Sequence, residues 1–122
     1  MSAKILIADD EANIVTSLEY LLKRSGFEVR VARDGDQALA AVAEFLPDLV
    51  LLDVMMPLRN GYEVAQKLRE NPRWEKIKIV MLTAKGRETE VSKGMALGAD
   101  EYVTKPFSTR DLVALVQRML GT

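Results

Sequence analysis

The chain has 122 residues, 48% hydrophobic and 29% charged, with Lys+Arg 17 against Asp+Glu 18. That length suits one domain with a real core, and nothing in the balanced charge suggests a surface built for polyanions. The absence of cysteine and histidine excludes a disulfide framework, thiolate metal sites, Ser–His or Cys–His catalysis and a phosphohistidine on this chain. The apolar start, Ile5 to Ala8, is too short for a secretory signal, and no stretch approaches the ~18 apolar residues of a membrane span. The expectation is a cytoplasmic domain without membrane attachment.

Lys4 to Ala8 predicts a buried strand that runs into Asp9, Asp10 and Glu11. A helix should follow, with Ile14, Leu18, Leu21 and Leu22 on one face, Glu19 one turn before Lys23, and Gly26 closing it. The three acids suit a cap and first turn that complement the helix dipole. That reading accounts for one acid better than for a pair at a strand end. Phe27, Val29 and Val31 alternate with charged residues, which predicts a more exposed strand, at a sheet edge. Asp34-Gly35 turns the chain into a helix bearing Ala38, Leu39, Val42, Ala43 and Leu46, ended by Pro47.

Leu49 to Leu52 is an unbroken apolar run of strand length. Such a run is needed only where both faces are covered, in the middle of a parallel sheet flanked by helices. Asp53 ends the run, and Pro57 forces a loop. Ligands of open α/β sheets bind just outside the carboxyl ends of the strands, where Asp53 falls; taken alone, it serves equally well to start a turn or cap a helix. A helix from about Gly61 to Glu70 carries Val64, Ala65 and Leu68, broken by Asn71-Pro72. Trp74 lies in the loop before a fourth strand, Ile77 to Leu82, ended by Thr83-Ala84. Val91, Met95 and Leu97 suggest a helix stopping near Gly98. Glu101 to Thr104 is a short strand ending in Lys105-Pro106, and a helix from about Thr109 to Leu120 buries Leu112, Leu115, Val116 and Met119. Strict alternation of five strand–helix units predicts an α/β fold, a doubly wound parallel sheet. Gly121-Thr122 falls where a linker to a further domain could begin.

Four strands therefore end in residues chemistry can use: Asp9/Asp10, Asp53, Thr83 and Lys105. In a parallel sheet these ends share one rim. Convergent carboxylates repel one another, and a hard divalent cation such as Mg²⁺ relieves that conflict with oxygen ligands and shared phosphate oxygens. A hydroxyl and an ammonium beside them complete a phosphoryl-transfer site. Singly, Thr83 also reads as an ordinary strand-end threonine and Lys105 as a solvated lysine.

Asp9-Asp10, Asp53 with Met56-Pro57, Asn60-Gly61, Thr83-Ala84, Gly98-Ala99-Asp100-Glu101-Tyr102 and Lys105-Pro106-Phe107 resemble the receiver domain of two-component response regulators. The resemblance covers essentially the whole chain, residues 1–122. It implies the flavodoxin-like (βα)5 receiver fold with strand order 2-1-3-4-5, and Asp53 as phosphoacceptor. It implies Mg²⁺ (Mn²⁺ as a substitute) on Asp10 and Asp53, with Asp9 nearby or bridging by water and the Met55 backbone carbonyl completing the protein ligands. By the same resemblance Thr83 and Lys105 hold the phosphoryl group, Lys105-Pro106 is cis, and Tyr102 moves with Thr83. The implied partners are a sensor histidine kinase or histidine phosphotransfer protein upstream, and a protein target or fused output domain downstream. The domain itself binds no nucleic acid, and is a monomer or a weak phosphorylation-dependent dimer. The resemblance implies that phosphorylation changes the surface of the fourth helix, fifth strand and fifth helix. Val91 and Leu115 depart from the arginines often found there in winged-helix regulators, which argues against their charge-paired dimer.

Three functions compete. A phosphorylation switch, stand-alone or excised from a larger DNA-binding or enzymatic regulator, leads; it promotes only its own phosphorylation and dephosphorylation. An aspartyl-nucleophile phosphatase commonly wants a second acid two residues past the nucleophile, where this chain has Met55. A flavodoxin-like cofactor binder needs glycine- and hydroxyl-rich phosphate loops, whereas Asp9-Asp10-Glu11 repels phosphate.

Overall fold

The computed structural model describes residues 2–84 and 98–121. Leu49–Asp53 forms β3, the middle of a five-stranded parallel sheet, and all five of its residues are buried. The remaining strands are β1 (Lys4–Ala8), β2 (Glu28–Ala32), β4 (Lys78–Ala84) and β5 (Glu101–Lys105), in the order β2-β1-β3-β4-β5. Both the order and the placement of β2 at an edge agree with expectation. Ala12–Arg24 (α1), Gly35–Phe45 (α2), Gly61–Glu70 (α3) and Thr109–Leu120 (α4) are the described helices. The helix expected around Val91, Met95 and Leu97 lies outside the described residues, as does Lys85.

Because adjacent side chains of a strand face opposite ways, the sheet divides the core in two. Leu6, Val50, Leu52, Ile79 and Met81 pack with Ala38 and Val42 of α2 and Val64, Ala65 and Leu68 of α3. Ile5, Ile7, Leu49, Leu51, Val80 and Leu82 pack with Val15, Leu18 and Leu22 of α1 and with Leu112, Val113 and Val116 of α4. Each fully buried aliphatic side chain contributes about 1.5–3 kcal/mol, so the double-faced apolar run of β3 fixes its central place. Side-chain caps then set where the helices start. Asp34 accepts from Gln37 N, Asn60 from Glu63 N and Ser108 from Asp111 N.

Several local expectations need correction. Leu46 is not a core residue of α2: it is 54% exposed and caps the helix in the left-handed region at φ 52, its N–H donating to Val42 O. Pro47 follows directly, so the helix ends before Leu46 can turn inward. Trp74 belongs to a 3-10 turn, Pro72–Trp74, and packs partly buried against the α2/α3 side of the core. β4 runs through Thr83 to Ala84, and β5 includes Lys105. Val113 is buried, whereas Leu115 and Met119 are only partly so. One glycine bears directly on the site: a Cβ on Gly61 would come within 2.5 Å of the Asp53 carbonyl oxygen, so α3 can begin against the end of β3 only without a side chain there.

Candidate functional site

Strand register brings the expected residues to one rim. Ala8 of β1 pairs with Leu52 of β3, Asp53 with Leu82 of β4, and Ala84 with Lys105 of β5. The carboxylates of Asp9, Asp10 and Asp53 each bring an oxygen within 4.8 Å of the others. Asp9 is fully buried and Asp53 nearly so, while Asp10 is exposed. Two turns aim them: Glu11 N donates to Asp9 Oδ1 at 2.9 Å, and Met55 N donates to Asp53 Oδ1 at 3.1 Å. The side chain of Met55 is exposed, so from that position it is the backbone N–H that Asp53 meets.

Lys105 is the counter-cation. Its Nζ lies 2.7 Å from Glu11 Oε1, 3.0 Å from Asp9 Oδ2 and 3.5 Å from Asp53 Oδ2. Burial opposes its charge, but the nearby carboxylates of Glu11, Asp9 and Asp53 outweigh that, and its pKa is raised. The approach to Asp9 is an ion pair without hydrogen-bond alignment. Among the described residues, Asp9 Oδ2 and Thr83 Oγ1 are the buried side-chain atoms with no hydrogen-bond partner. Buried polar atoms usually find partners; a cation would serve the Asp9 carboxylate oxygen, and a phosphoryl oxygen would accept from the Thr83 hydroxyl. Asp53 responds most strongly. Burial and the negative charge of Asp9, with a smaller push from Asp10, outweigh Lys105 and the Met55 N–H, raising its pKa to about 7. A group tuned this far at a strand-end rim is a candidate for chemistry.

The donor set fits a hard divalent cation: carboxylate oxygens, no thiolate and no imidazole. Tyr102 pairs with Met81 of β4, two residues before Thr83. It is half-buried, and its hydroxyl meets that of Tyr62 at 2.8 Å. The Lys105-Pro106 bond is cis. From sequence, Tyr62 goes unremarked, and Glu11 takes a place in a helix cap and in an acidic run that repels phosphate. Glu11 does stand at the α1 N-cap, but its side chain makes no cap bond. The sole sequence signal was its place after two acids, which says nothing of a lysine 94 residues away.

The family model of the response regulator receiver domain matches residues 5–117. The chain belongs to that family. It is 46% identical over 120 residues to the phosphate regulon transcriptional regulatory protein PhoB of Rhizobium meliloti, covering 98% of this chain and 53% of that protein. The chain therefore spans about half the length of that relative. The BeF3-activated DrrB receiver domain superposes with a TM-score of 0.89 at 34% identity, over 100% of both chains. The receiver domain of the sensor histidine kinase PA1611 from Pseudomonas aeruginosa, with a magnesium ion coordinated in its active site cleft, gives 0.88 at 26% identity, again over 100% of both. The sheet described above is thus the receiver fold. Receiver domains are signalling modules switched by phosphorylation, and no described helix is long and apolar enough to cross a membrane.

Proposed function

We propose that the chain, residues 1–122 as one receiver domain, is a phosphorylation switch with Asp53 as phosphoacceptor. The observation that carries this reading is the meeting at one rim of a buried, proton-avid Asp53 with two further carboxylates, the Lys105 ammonium and an unpartnered Thr83 hydroxyl. The phosphoryl group comes from outside, because the chain has no histidine of its own. Its source is a phosphohistidine on a sensor kinase or phosphotransfer protein.

An Asp53 oxygen attacks phosphorus as the N–P bond breaks. The imidazole leaves neutral, its other nitrogen already protonated, and an acyl phosphate remains on Asp53. Asp10 and Asp53 would hold the divalent cation, with Asp9 directly or through water and the Met55 backbone carbonyl. Bound there, Mg²⁺ or Mn²⁺ neutralises the carboxylates and shares the charge of the phosphoryl oxygens. Lys105 opposes the negative charge that burial and Asp9 make costly on Asp53, so it favours the nucleophilic, ionised form. The same ammonium then receives one phosphoryl oxygen, and the Thr83 hydroxyl donates to another. As Thr83 moves inward, Tyr102 follows, and the surface of β5 and its neighbouring helices changes by a shift between two existing states. The domain accelerates only the gain and loss of its own phosphoryl group, in the cytoplasm, without binding nucleic acid or membrane itself, as a monomer or weak phosphorylation-dependent dimer. The likeness to a transcriptional regulator favours, as the finer reading of output, an effector acting at DNA. A phosphatase acting on outside substrates is disfavoured by Met55, which offers Asp53 no second acid.

Acetyl phosphate with Mg²⁺, followed by intact-mass and peptide mass spectrometry, tests the assignment. One added phosphoryl group on Asp53 is expected, and none on the Asp53→Asn protein, whose isosteric amide is a far poorer nucleophile. Stable labelling of that variant at the parent level would move the acceptor elsewhere.

A further inference from the structure

Lys105 meets three carboxylates, and the closest is the one outside the acidic cluster. The 2.7 Å contact with Glu11 has the length of a charge-assisted hydrogen bond, whereas Asp9 at 3.0 Å is misaligned and Asp53 at 3.5 Å is beyond that range. Glu11 is well placed for this. Its N–H donates to Asp9 Oδ1 and its carbonyl accepts from Val15 N at 3.0 Å, so the turn into α1 fixes its backbone at both sides. Its carboxylate, unused as a helix cap, reaches across to the end of β5. The three acids also differ in solvation: the side chains of Asp9 and Asp53 are 0% and 6% exposed, that of Glu11 56%.

We infer that Glu11 is a positioning residue: it draws the Lys105 ammonium away from Asp53 before phosphorylation and gives it up afterwards. This rests on the functional reading above. An exposed ion pair is weak and exchanges readily with water, so Glu11 is the partner Lys105 can leave at least cost. A phosphoryl group on Asp53 replaces one negative charge with about two, carried on three strong acceptor oxygens, and outcompetes a single solvated carboxylate. Until then, every moment the ammonium spends on Glu11 leaves Asp53 less well neutralised as an anionic donor approaches. Glu11 thus slows the first step and leaves the product little affected.

Removing the Glu11 charge also weakens general repulsion of the donor, so the test separates the two effects by a double-mutant cycle. Phosphorylation rates with acetyl phosphate and Mg²⁺ are measured for the parent, Glu11→Gln, Lys105→Met and the double variant. The expected result is a rise of about two- to fivefold for Glu11→Gln in the parent background, and no rise in the Lys105→Met background. A second readout needs neither metal nor phosphate: the side-chain ¹⁵N ammonium resonance of Lys105 should shift on Glu11→Gln. An equal rise in both backgrounds, no rise in either, or an ammonium resonance unmoved by the substitution would overturn the role of Glu11. Failure of the parent itself to be labelled would instead overturn the phosphoacceptor reading, and the two failures cannot be confused.

Discussion

The hydroxyls of Tyr62 and Tyr102 meet at 2.8 Å, joining the first turn of α3 to the start of β5. Tyr62 is buried, and Tyr102 packs against the same core cluster. The bond ties the aromatic residue proposed to move with Thr83 to the helix that starts against the end of β3. Tyr62→Phe and Tyr102→Phe should each lower stability by about 0.5–1.5 kcal/mol. If the bond couples them, the double variant in a denaturant titration costs less than the sum. On phosphorylation, amide exchange over Glu101–Thr109 should change more in the Tyr62→Phe protein than in the parent. Strict additivity together with unchanged exchange would show that the pair does not restrain Tyr102.

Without metal the acidic rim should weaken the fold in a defined pH window. The pKa of Asp53 rises on folding from 3.8 to about 7, so between these values the folded state binds more protons than the unfolded one. Stability must then fall as pH rises through that window. Below it both states are protonated, and above it the penalty is complete. Subtracting the melting curve of Asp53→Asn from that of the parent at each pH should isolate this slope. Above pH 7, millimolar Mg²⁺ should raise the melting temperature by mass action. Asp10→Ala should raise it without metal while preventing phosphorylation. A flat difference curve, or a destabilised Asp10→Ala protein, would contradict this account.

Arg69 should be a costly polar truncation away from the rim. Its guanidinium donates to the carbonyls of Gly98, Glu75 and Ile77 and to Asp100 Oδ2, at 2.8–3.1 Å. Asp100 Oδ2 also accepts from Ile79 N at 2.8 Å, so one side chain binds α3 to the start of β4 and the approach to β5. Arg69→Ala leaves partly buried carbonyls unpaired and should cost about 3 kcal/mol. Arg69→Lys should recover little, because an ammonium cannot serve four acceptors in a planar fan. Denaturant midpoints for the two variants provide the check, and recovery by lysine would mean that charge alone matters.

A long-lived phosphorylated form is the fourth expectation. Hydrolysis needs a water in line with the Asp53–phosphorus bond. In the family, the positions two beyond the acceptor and two beyond the threonine are expected to govern access to that path; here they are occupied by Met55 and Lys85. Met55 presents a thioether that is a poor acceptor, and Lys85, outside the described residues, has no lone pair when charged. After removal of the donor, Met55→Asn/Lys85→Glu should lose its phosphoryl group at least tenfold faster than the parent, in keeping with the value of placing a reactant well. Equal decay would leave the acceptor assignment standing and remove these two residues from the explanation.

The sheet was legible because burial writes itself into strands. The apolar run Leu49–Leu52 has no polar face, and the alternation around Val29 and Val31 marks an edge, so central and outer strands separated on composition. The rim was legible for a related reason, since parallel strands must carry their terminal residues to one side. What stayed hidden depends on contacts between distant segments. Nothing near Arg69 announces that it will bridge Gly98, Glu75, Ile77 and Asp100. Glu11 resembles any residue of a helix first turn until β5 brings Lys105 to it. Leu46 misleads because helical spacing continues onto the very residue where the backbone reverses hand.

The separation of Glu11 and Lys105 by 94 positions also bears on how the protein is made. Synthesis delivers the amino-terminal strands first, and domains begin to organise as they emerge. A nascent chain that has released β1 and β3 already holds Asp9, Asp10 and Asp53, with no ammonium among them. Lys105 arrives only when β5 takes its place beside β4. A half-made chain therefore carries the acids of the site in a mutually repelling state and has no means of holding a phosphoryl oxygen with lysine. The complete set of charges at the rim, three carboxylates with their ammonium, is assembled only once the fifth strand is in.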